Sequence, residues 1–330
     1  MKSGTRPVLE KYHKRPFIHI GLPRTGTKTI QWHLFSRHSG IEYLGIYDGN
    51  ERFRHLRKLN NVRDPSVQTI MKEIGWENIF NPDLGLCKRL YAESIATAFD
   101  RGKIPVWSWE SLSMDVFKNR RARAENLRQV FGPCRVAITI RHPVSIMESA
   151  YFQIMRRQNV HLRKGKTWYL PIDKWLNSRH FKKESWHHLE YERTISLYCN
   201  VFSEEAIRVF VFEDLRENPG GFIEKLCQFI GIDPEEGVRW AAGKAENARS
   251  AVTLDRIRQI GSSGVRSFIF RKMRQKKRNE YLFLSGERKE DELPRISSQG
   301  RNQIEDFTRK GNQRLMARFA LPLDKYDYPL

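Results

Sequence analysis

The nine residues Gly21-Leu22-Pro23-Arg24-Thr25-Gly26-Thr27-Lys28-Thr29 join a short apolar run, Phe17–Ile20, to a stretch with Ile30, Leu34 and Phe35 at helical spacing. In a strand-to-helix turn of this kind consecutive backbone N–H groups point inward, and the helix N-terminus adds positive potential, so an anion such as phosphate fits. The candidate anion-binding set is Arg24, Thr25, Gly26, Thr27, Lys28 and Thr29. The nucleotide triphosphatase pattern GxxxxGK[ST] is the natural comparison, but here Thr27 follows Gly26 and Lys28 comes one position late. That shift rotates both the lysine and the hydroxyl that would hold magnesium round the helix.

A second anion site is encoded further on. The clearest strand of the chain, Arg135–Ile140, stops at Arg141-His142-Pro143, and Ser149 follows Arg141 by eight residues. A guanidinium grips a phosphate with a bidentate fork, and a hydroxyl two helical turns on adds a hydrogen bond. A cation also stands where a metal-dependent phosphotransferase needs a carboxylate, which leaves a metal-dependent P-loop kinase as the weaker alternative. A third strand, Ile104–Trp109, delivers Glu110 to the same edge, with Val106, Ser108 and Glu110 on one face and Trp107 and Trp109 on the other. A carboxylate there suits a general base. His19 and His142 are the nearest other bases, and both read as packing residues or phosphate neighbours. None of the ten histidines has metal-ligand spacing, His187-His188 reads as a solvated helix face, and no metal is expected.

The elements that must position these residues alternate: strands at 17–20, 104–109, 135–140 and 207–212, and helices at 27–36, 84–99, 118–131, from 144, at 189–202 and at 222–230. Such alternation predicts a doubly wound parallel sheet flanked by helices, an α/β fold of the P-loop nucleotide triphosphatase type. In an open parallel sheet the carboxyl ends of the strands face one crevice, where ligands bind. Residues 1–16 read as a polar arm and 17–330 as one domain. Within that domain 262–298, which contains RKMRQKKR, reads as a basic insertion or flap. No apolar run is long enough to span a membrane, and the N-terminus lacks the apolar core of a signal peptide. Four cysteines lie far apart without a CxxC pair, so a reducing, cytoplasmic setting is the expectation.

Four segments together carry a resemblance. GLPRTGTKTIQ resembles the 5′-phosphosulfate loop of sulfotransferases that use 3′-phosphoadenosine 5′-phosphosulfate (PAPS), and IRHPVSIMESAYF resembles their 3′-phosphate motif. RVFVFEDLRENPGGFIEKLCQFIGI is similar to a strand-loop-helix found later in these enzymes, and LPLDKYDYPL to many of their C-termini. The resemblance implies a PAPS-dependent sulfotransferase nearer the carbohydrate and heparan-type and bacterial members than the cytosolic small-molecule type. It implies that Arg24, Thr25, Gly26, Thr27, Lys28 and Thr29 hold the 5′-phosphosulfate and that Arg141 and Ser149 hold the 3′-phosphate. Glu110, Arg24 and Lys28 are the catalytic set, with Glu110 as base for in-line displacement onto a hydroxyl.

Two departures from the family pattern stand out. Arg24 replaces a common lysine, and a guanidinium stabilises charge without donating a proton. Thr29 stands where an adenine-stacking aromatic is usual, which turns attention to Phe212. Arg309-Lys310-Gly311 matches a short phosphate-gripping motif, yet it reads better as part of a closing helix.

Charge bounds the partners. Lys+Arg 59 against Asp+Glu 38 leaves a net charge of +21. The donor's anionic groups account for Arg24, Lys28 and Arg141 but not for so large an excess. An acidic glycan or glycolipid acceptor, or peripheral contact with an anionic membrane, absorbs the remainder, and nucleic acid is the explanation least needed. A protein that binds PAPS or its bisphosphate product (PAP) without catalysis is the further alternative.

Overall fold

A computed structural model of the chain describes residues 15–45, 64–113, 119–161, 169–178, 186–243, 256–257, 259–260, 264–283 and 295–330. The chain groups into two compact units: Met1–Arg141 with Glu190–Glu246 and Gly311–Asp327, and His142–Leu189 with Asn247–Lys310 and Tyr328–Leu330. Nearly all of the 1–16 arm lies outside the described residues, as do 262–263 and 284–294 of the basic insertion.

In the first unit β1 (Phe17–Gly21) leads into α1 (Thr27–Ile30), which continues as a π-helical turn, Gln31–Phe35. Then come β2 (Ile41–Tyr43), α2 (Pro65–Met71), α3 (Leu84–Leu90), β3 (Ile104–Ser108), α4 (Arg120–Phe131) and β4 (Arg135–Ile140). The five strands, closed by β5 (Ile207–Val211), form a parallel sheet in the order β2-β3-β1-β4-β5. Every residue of β1, β3 and β4 is buried, which is why these segments read as continuous apolar runs rather than as alternating ones. From β1 the chain passes to β2 and β3 on one side, while β4 and β5 lie on the other. Neighbouring β1 and β4 thus meet at the switch point, where an open parallel sheet takes its ligand.

In the second unit α5 (Pro143–His161) packs against α6 (Ile172–Leu176). The Tyr151 ring stands edge-on to Trp175, 5.2 Å away, and its hydroxyl donates to the Leu170 carbonyl at 2.8 Å. The buried Glu148 carboxylate accepts from the Ile296 amide at 3.3 Å and from Arg295 at 3.2 Å.

The first unit resumes with α7 (Tyr191–Phe202), β5, α8 (Phe212–Glu217), α9 (Pro219–Ile230) and α10 (Pro234–Ala241). Its core joins Phe17 and Ile30 to Leu34, Val106, Phe210 and Ile223. The basic insertion folds in part as two helices of the second unit, α11 (Gly264–Lys272) and α12 (Gln275–Phe283), the latter packed on α5. The last long helix, α13 (Ser298–Phe319), begins in the second unit, where Asp173 accepts from the Ser297 amide and hydroxyl, and ends in the first. In the first unit the tail is held to α8, with the Tyr326 hydroxyl donating to Asp214 at 2.6 Å and Lys325 to Glu217 at 2.7 Å.

The expected strands and helices form with shifted ends. The stretch 84–99 is not one α-helix, because after α3 it rewinds into a π-turn, Tyr91–Ile95, and a 3-10 turn, Ala96–Arg101, before Gly102 ends it in the left-handed region (φ 69°). The strand β2, absent from the sequence reading, has only three residues, Ile-Glu-Tyr, and is fixed by pairing with β3 rather than by pattern.

Candidate functional site

The loop after β1 keeps its place at the switch point through short internal bonds. The Leu22 amide donates to the Thr139 carbonyl of β4 at 3.2 Å, and the Thr25 hydroxyl donates to the Leu22 carbonyl at 2.6 Å. Gly21 has no room for a side chain, since a Cβ there would lie 1.8 Å from the Thr27 hydroxyl oxygen. Gly26 adopts φ 77° against Leu215 and Phe212, and Arg24 also has a positive φ, 72°. A left-handed non-glycine residue costs about 1–3 kcal/mol and persists only where its surroundings hold it. Turns of alternating handedness of this kind form anion-binding concavities lined by N–H groups. The loop therefore fits an anion through its backbone, and Arg24 and Lys28 supply the side-chain charge.

The strand β4 ends by placing Arg141 on this loop. Its Nη1 donates to the Arg24 carbonyl at 2.9 Å, and its guanidinium lies 4.6 Å from the centre of the Phe212 ring. The Tyr191 hydroxyl donates to the Arg141 carbonyl at 2.6 Å. Arg141 is thus clamped from three directions, and a pre-positioned fork loses little freedom on meeting a phosphate. Phe212, considered for adenine contact, has a neighbour in the Arg141 guanidinium.

The strand β3 supplies the acid–base candidate. Trp109 extends the ladder by donating its amide to the His19 carbonyl at 3.1 Å, and Glu110 opens a 3-10 turn, Glu110–Ser113. The turn is held by Ser113, whose hydroxyl donates to the Glu110 carbonyl at 2.7 Å, and by Tyr198, whose hydroxyl donates to the Leu112 carbonyl at 2.9 Å. Burial raises the Glu110 carboxyl above the ordinary carboxylate range, while Lys28 and then Arg24 oppose the rise. A carboxyl with raised pKa beside two cations is a stronger proton acceptor than a solvated one, and such perturbed groups cluster at functional sites. The expected alternation holds for Trp107, Ser108 and Trp109, while Glu110 lies beyond the strand. Ser108 faces His19, whereas Trp107 and Trp109 stack with ring centres 6.0 Å apart.

The histidines have structural positions. His19 is fully buried, its Nδ1 paired with the Ser108 hydroxyl at 2.8 Å and its Nε2 with the Thr139 hydroxyl at 3.2 Å. Burial lowers its pKa to about 3, so it stays neutral and ties β1 to β3 and β4. His142, in the second unit, stands edge-on to the Tyr328 ring at 5.3 Å. The pair His187-His188 occupies a half-buried 3-10 turn, Trp186–Leu189, with ring centres 4.1 Å apart, rather than a solvated helix face. Arg309 lies within α13 and donates to the Leu330 carbonyl at 2.5 Å.

The first unit therefore assembles Arg24, Thr25, Gly26, Thr27, Lys28, Thr29, Glu110 and Arg141 on strand ends of one sheet edge. Ser149 belongs to the second unit, where it is buried on α5. Sequence reasoning missed Gln31, whose amide donates to the Ser108 carbonyl and hydroxyl at 3.0 and 3.1 Å, and Tyr191. A glutamine at the first position of a π-helical turn gives no local signal. Tyr191, opening a helix, could have been read as a polar aromatic in need of a partner.

The order β2-β3-β1-β4-β5, with an anion loop after β1, defines an α/β protein of the P-loop-like class. Residues 16–236 match the sulfotransferase family, and the chain belongs to that family. Its fold is similar to that of a sulfotransferase from Alicyclobacillus acidocaldarius, with 14% identity, a TM-score of 0.54, and coverage of 94% of this chain and 98% of that one. Mouse sulfotransferase SULT7A1 complexed with PAP matches at 11% identity and TM-score 0.43, covering 91% of this chain and 86% of that one. Sulfotransferase STF9 from Mycobacterium avium matches at 13% and 0.43, covering 74% and 71%. No curated protein matches the chain by sequence.

Proposed function

We propose that residues 17–330 act as one catalytic domain that transfers a sulfonate from PAPS to a hydroxyl of a carbohydrate or glycolipid acceptor in the cytoplasm. The observation that carries this reading is the grouping of Glu110 with Lys28 and Arg24, a carboxyl of raised pKa set against the cations of an anion loop. When bound, the donor supplies an activated sulfonate and a bisphosphate leaving group. Gly21–Thr29 cradles the 5′-phosphosulfate through backbone N–H groups. Arg24 and Lys28 stabilise the charge that develops on the bridging oxygen and the transferring group, an effect worth most in a pre-organised, water-poor site. Arg24 cannot protonate the leaving oxygen, so that task falls to Lys28. Glu110 takes the proton from the acceptor hydroxyl, in line with the departing phosphate. Arg141 receives the 3′-phosphate, with Ser149 assigned beside it from its spacing along the sequence. The scheme draws its positive charge from the chain's own side chains.

Thermal unfolding with ligands tests the donor. Adenosine 3′,5′-bisphosphate is expected to raise the melting temperature, and ATP with magnesium to leave it unchanged. The reverse pattern would establish the kinase reading instead. Labelled sulfonate offered with a broad panel of hydroxyl acceptors tests the reaction, and stabilisation by bisphosphate without transfer to any of them would define a binding protein.

A further inference from the structure

The helix α11 in the second unit is built with two faces. Its inward side is anchored by Phe270, which is buried with its ring 5.9 Å from that of Tyr281 on α12. Arg256 fixes this pair, donating to the Tyr281 carbonyl at 2.7 Å and lying 5.6 Å from its ring centre. The other side presents Val265, Phe268 and Ile269 to solvent, at 71%, 61% and 53% exposure. At about 100° of turn per residue these three fall on one stripe with Lys272, and Arg266 and Arg271 flank it on either side. All three cations are exposed, and the Lys272 ammonium lies 5.5 Å from the centre of the Phe268 ring. Exposed Arg274 and Lys277 continue the positive charge beyond the helix.

We infer that α11 docks the protein on an anionic lipid bilayer, laying Val265, Phe268 and Ile269 among the acyl chains just below the headgroups. A lone exposed apolar residue needs no explanation, but three on one stripe, rimmed by cations and opposite an anchored face, form an interfacial amphipathic helix. The charge complements an anionic leaflet, and long basic side chains beside the stripe reach up to the headgroups as the apolar ones sink. An acidic polysaccharide or a nucleic acid would meet the same cations but leave the aliphatic Val265 and Ile269 wet, because neither residue can stack or hydrogen-bond. None of the described helices is long and apolar enough to cross a membrane, so this contact lies on the surface of the bilayer. The inference stands apart from the transfer reaction, and its test uses neither donor nor acceptor.

The test is cosedimentation of the full chain with vesicles of phosphatidylcholine alone or mixed with phosphatidylserine. Binding is expected to the mixed vesicles, to fall as salt rises, and to weaken about tenfold or more in the double variant Phe268→Ser, Ile269→Ser. The same variant should bind immobilised heparin as the parent does. Because both side chains point to solvent, its melting temperature should match the parent's. A Phe268→Trp variant supplies a direct reading, a blue shift of its emission over the parent's on mixed vesicles but not with heparin. Failure to bind mixed vesicles overturns the inference. So does equal binding by parent and double-serine proteins, which would reduce the effect to bulk charge. Self-association of the parent without lipid, lost in the double-serine variant, overturns it as well by making a second copy the occupant.

Discussion

Arg24, Lys28 and Arg141 on the sheet edge and Arg266, Arg271 and Lys272 on α11 are two sets of three cations held in different ways. The first set converges, with Arg141 bonded to the Arg24 carbonyl and Lys28 and Arg24 acting together on Glu110. The second set diverges around an exposed apolar stripe. Convergent charge is paid for by strain and burial, as the left-handed Arg24 and the perturbed Glu110 show, and it suits a small ligand of fixed shape. Divergent charge carries no such strain and suits a broad, fluid partner. The +21 of the chain is thus not one property, because equal charges do different work according to whether the fold focuses or spreads them.

The comparison can be broken most severely at Glu110. Replacing it with alanine is expected to lower the transfer rate by about 10²–10⁴-fold, the usual worth of a general base, while bisphosphate still raises the melting temperature. In the parent, activity should fall as pH drops through a pKa above the ordinary glutamate value, and that acid limb should vanish in the variant. The same shift predicts a stability effect of opposite sense. Between the ordinary and raised pKa values the native protein holds a proton that the unfolded chain has released, so stability falls as pH rises through this window. Glu110→Gln should therefore be more stable than the parent at neutral pH.

His19 tests the floor beneath the convergent site. Its folded pKa of about 3 lies below the unfolded value, so its contribution is full above pH 6.5 and is lost as pH falls toward 3, up to about 5 kcal/mol. Denaturant unfolding across this range should show that slope in the parent and a flatter one in His19→Gln. Arg141→Lys keeps the charge but loses the fork, and bisphosphate affinity measured by calorimetry should fall about ten- to a hundredfold. The smallest effect belongs to the divergent set. The Phe268→Ser, Ile269→Ser protein should transfer sulfonate to a soluble acceptor at the parent rate, with stability changed by less than about 0.5 kcal/mol.

The sequence reading succeeded where burial leaves a continuous trace. The strands β1, β3 and β4 are buried on both faces, and each is visible as an apolar run ending in a chemical residue, Gly21, Glu110 or Arg141. It failed where the determinant is a distant partner. The strand β2 exists because β3 pairs with it, and the π-turn at Gln31–Phe35 places Gln31 on Ser108, a residue 77 positions away. The buried neutral state of His19 likewise depends on Ser108 and Thr139, which only the assembled sheet brings together. The α11 stripe was not legible: the sequence showed only the basic run RKMRQKKR at 271–278, and the anchor at Tyr281 belongs to another helix.

The left-handed Arg24 has a consequence for anyone who tries to make this protein hardier. Glycine adopts that conformation at no steric cost, so Arg24→Gly should relieve roughly 1–2 kcal/mol of backbone strain. A selection for heat resistance alone would favour the replacement, and the survivors would have discarded a cation of the anion loop. Under the proposed function, position 24 is a place where durability and catalysis pull on the same residue in opposite directions.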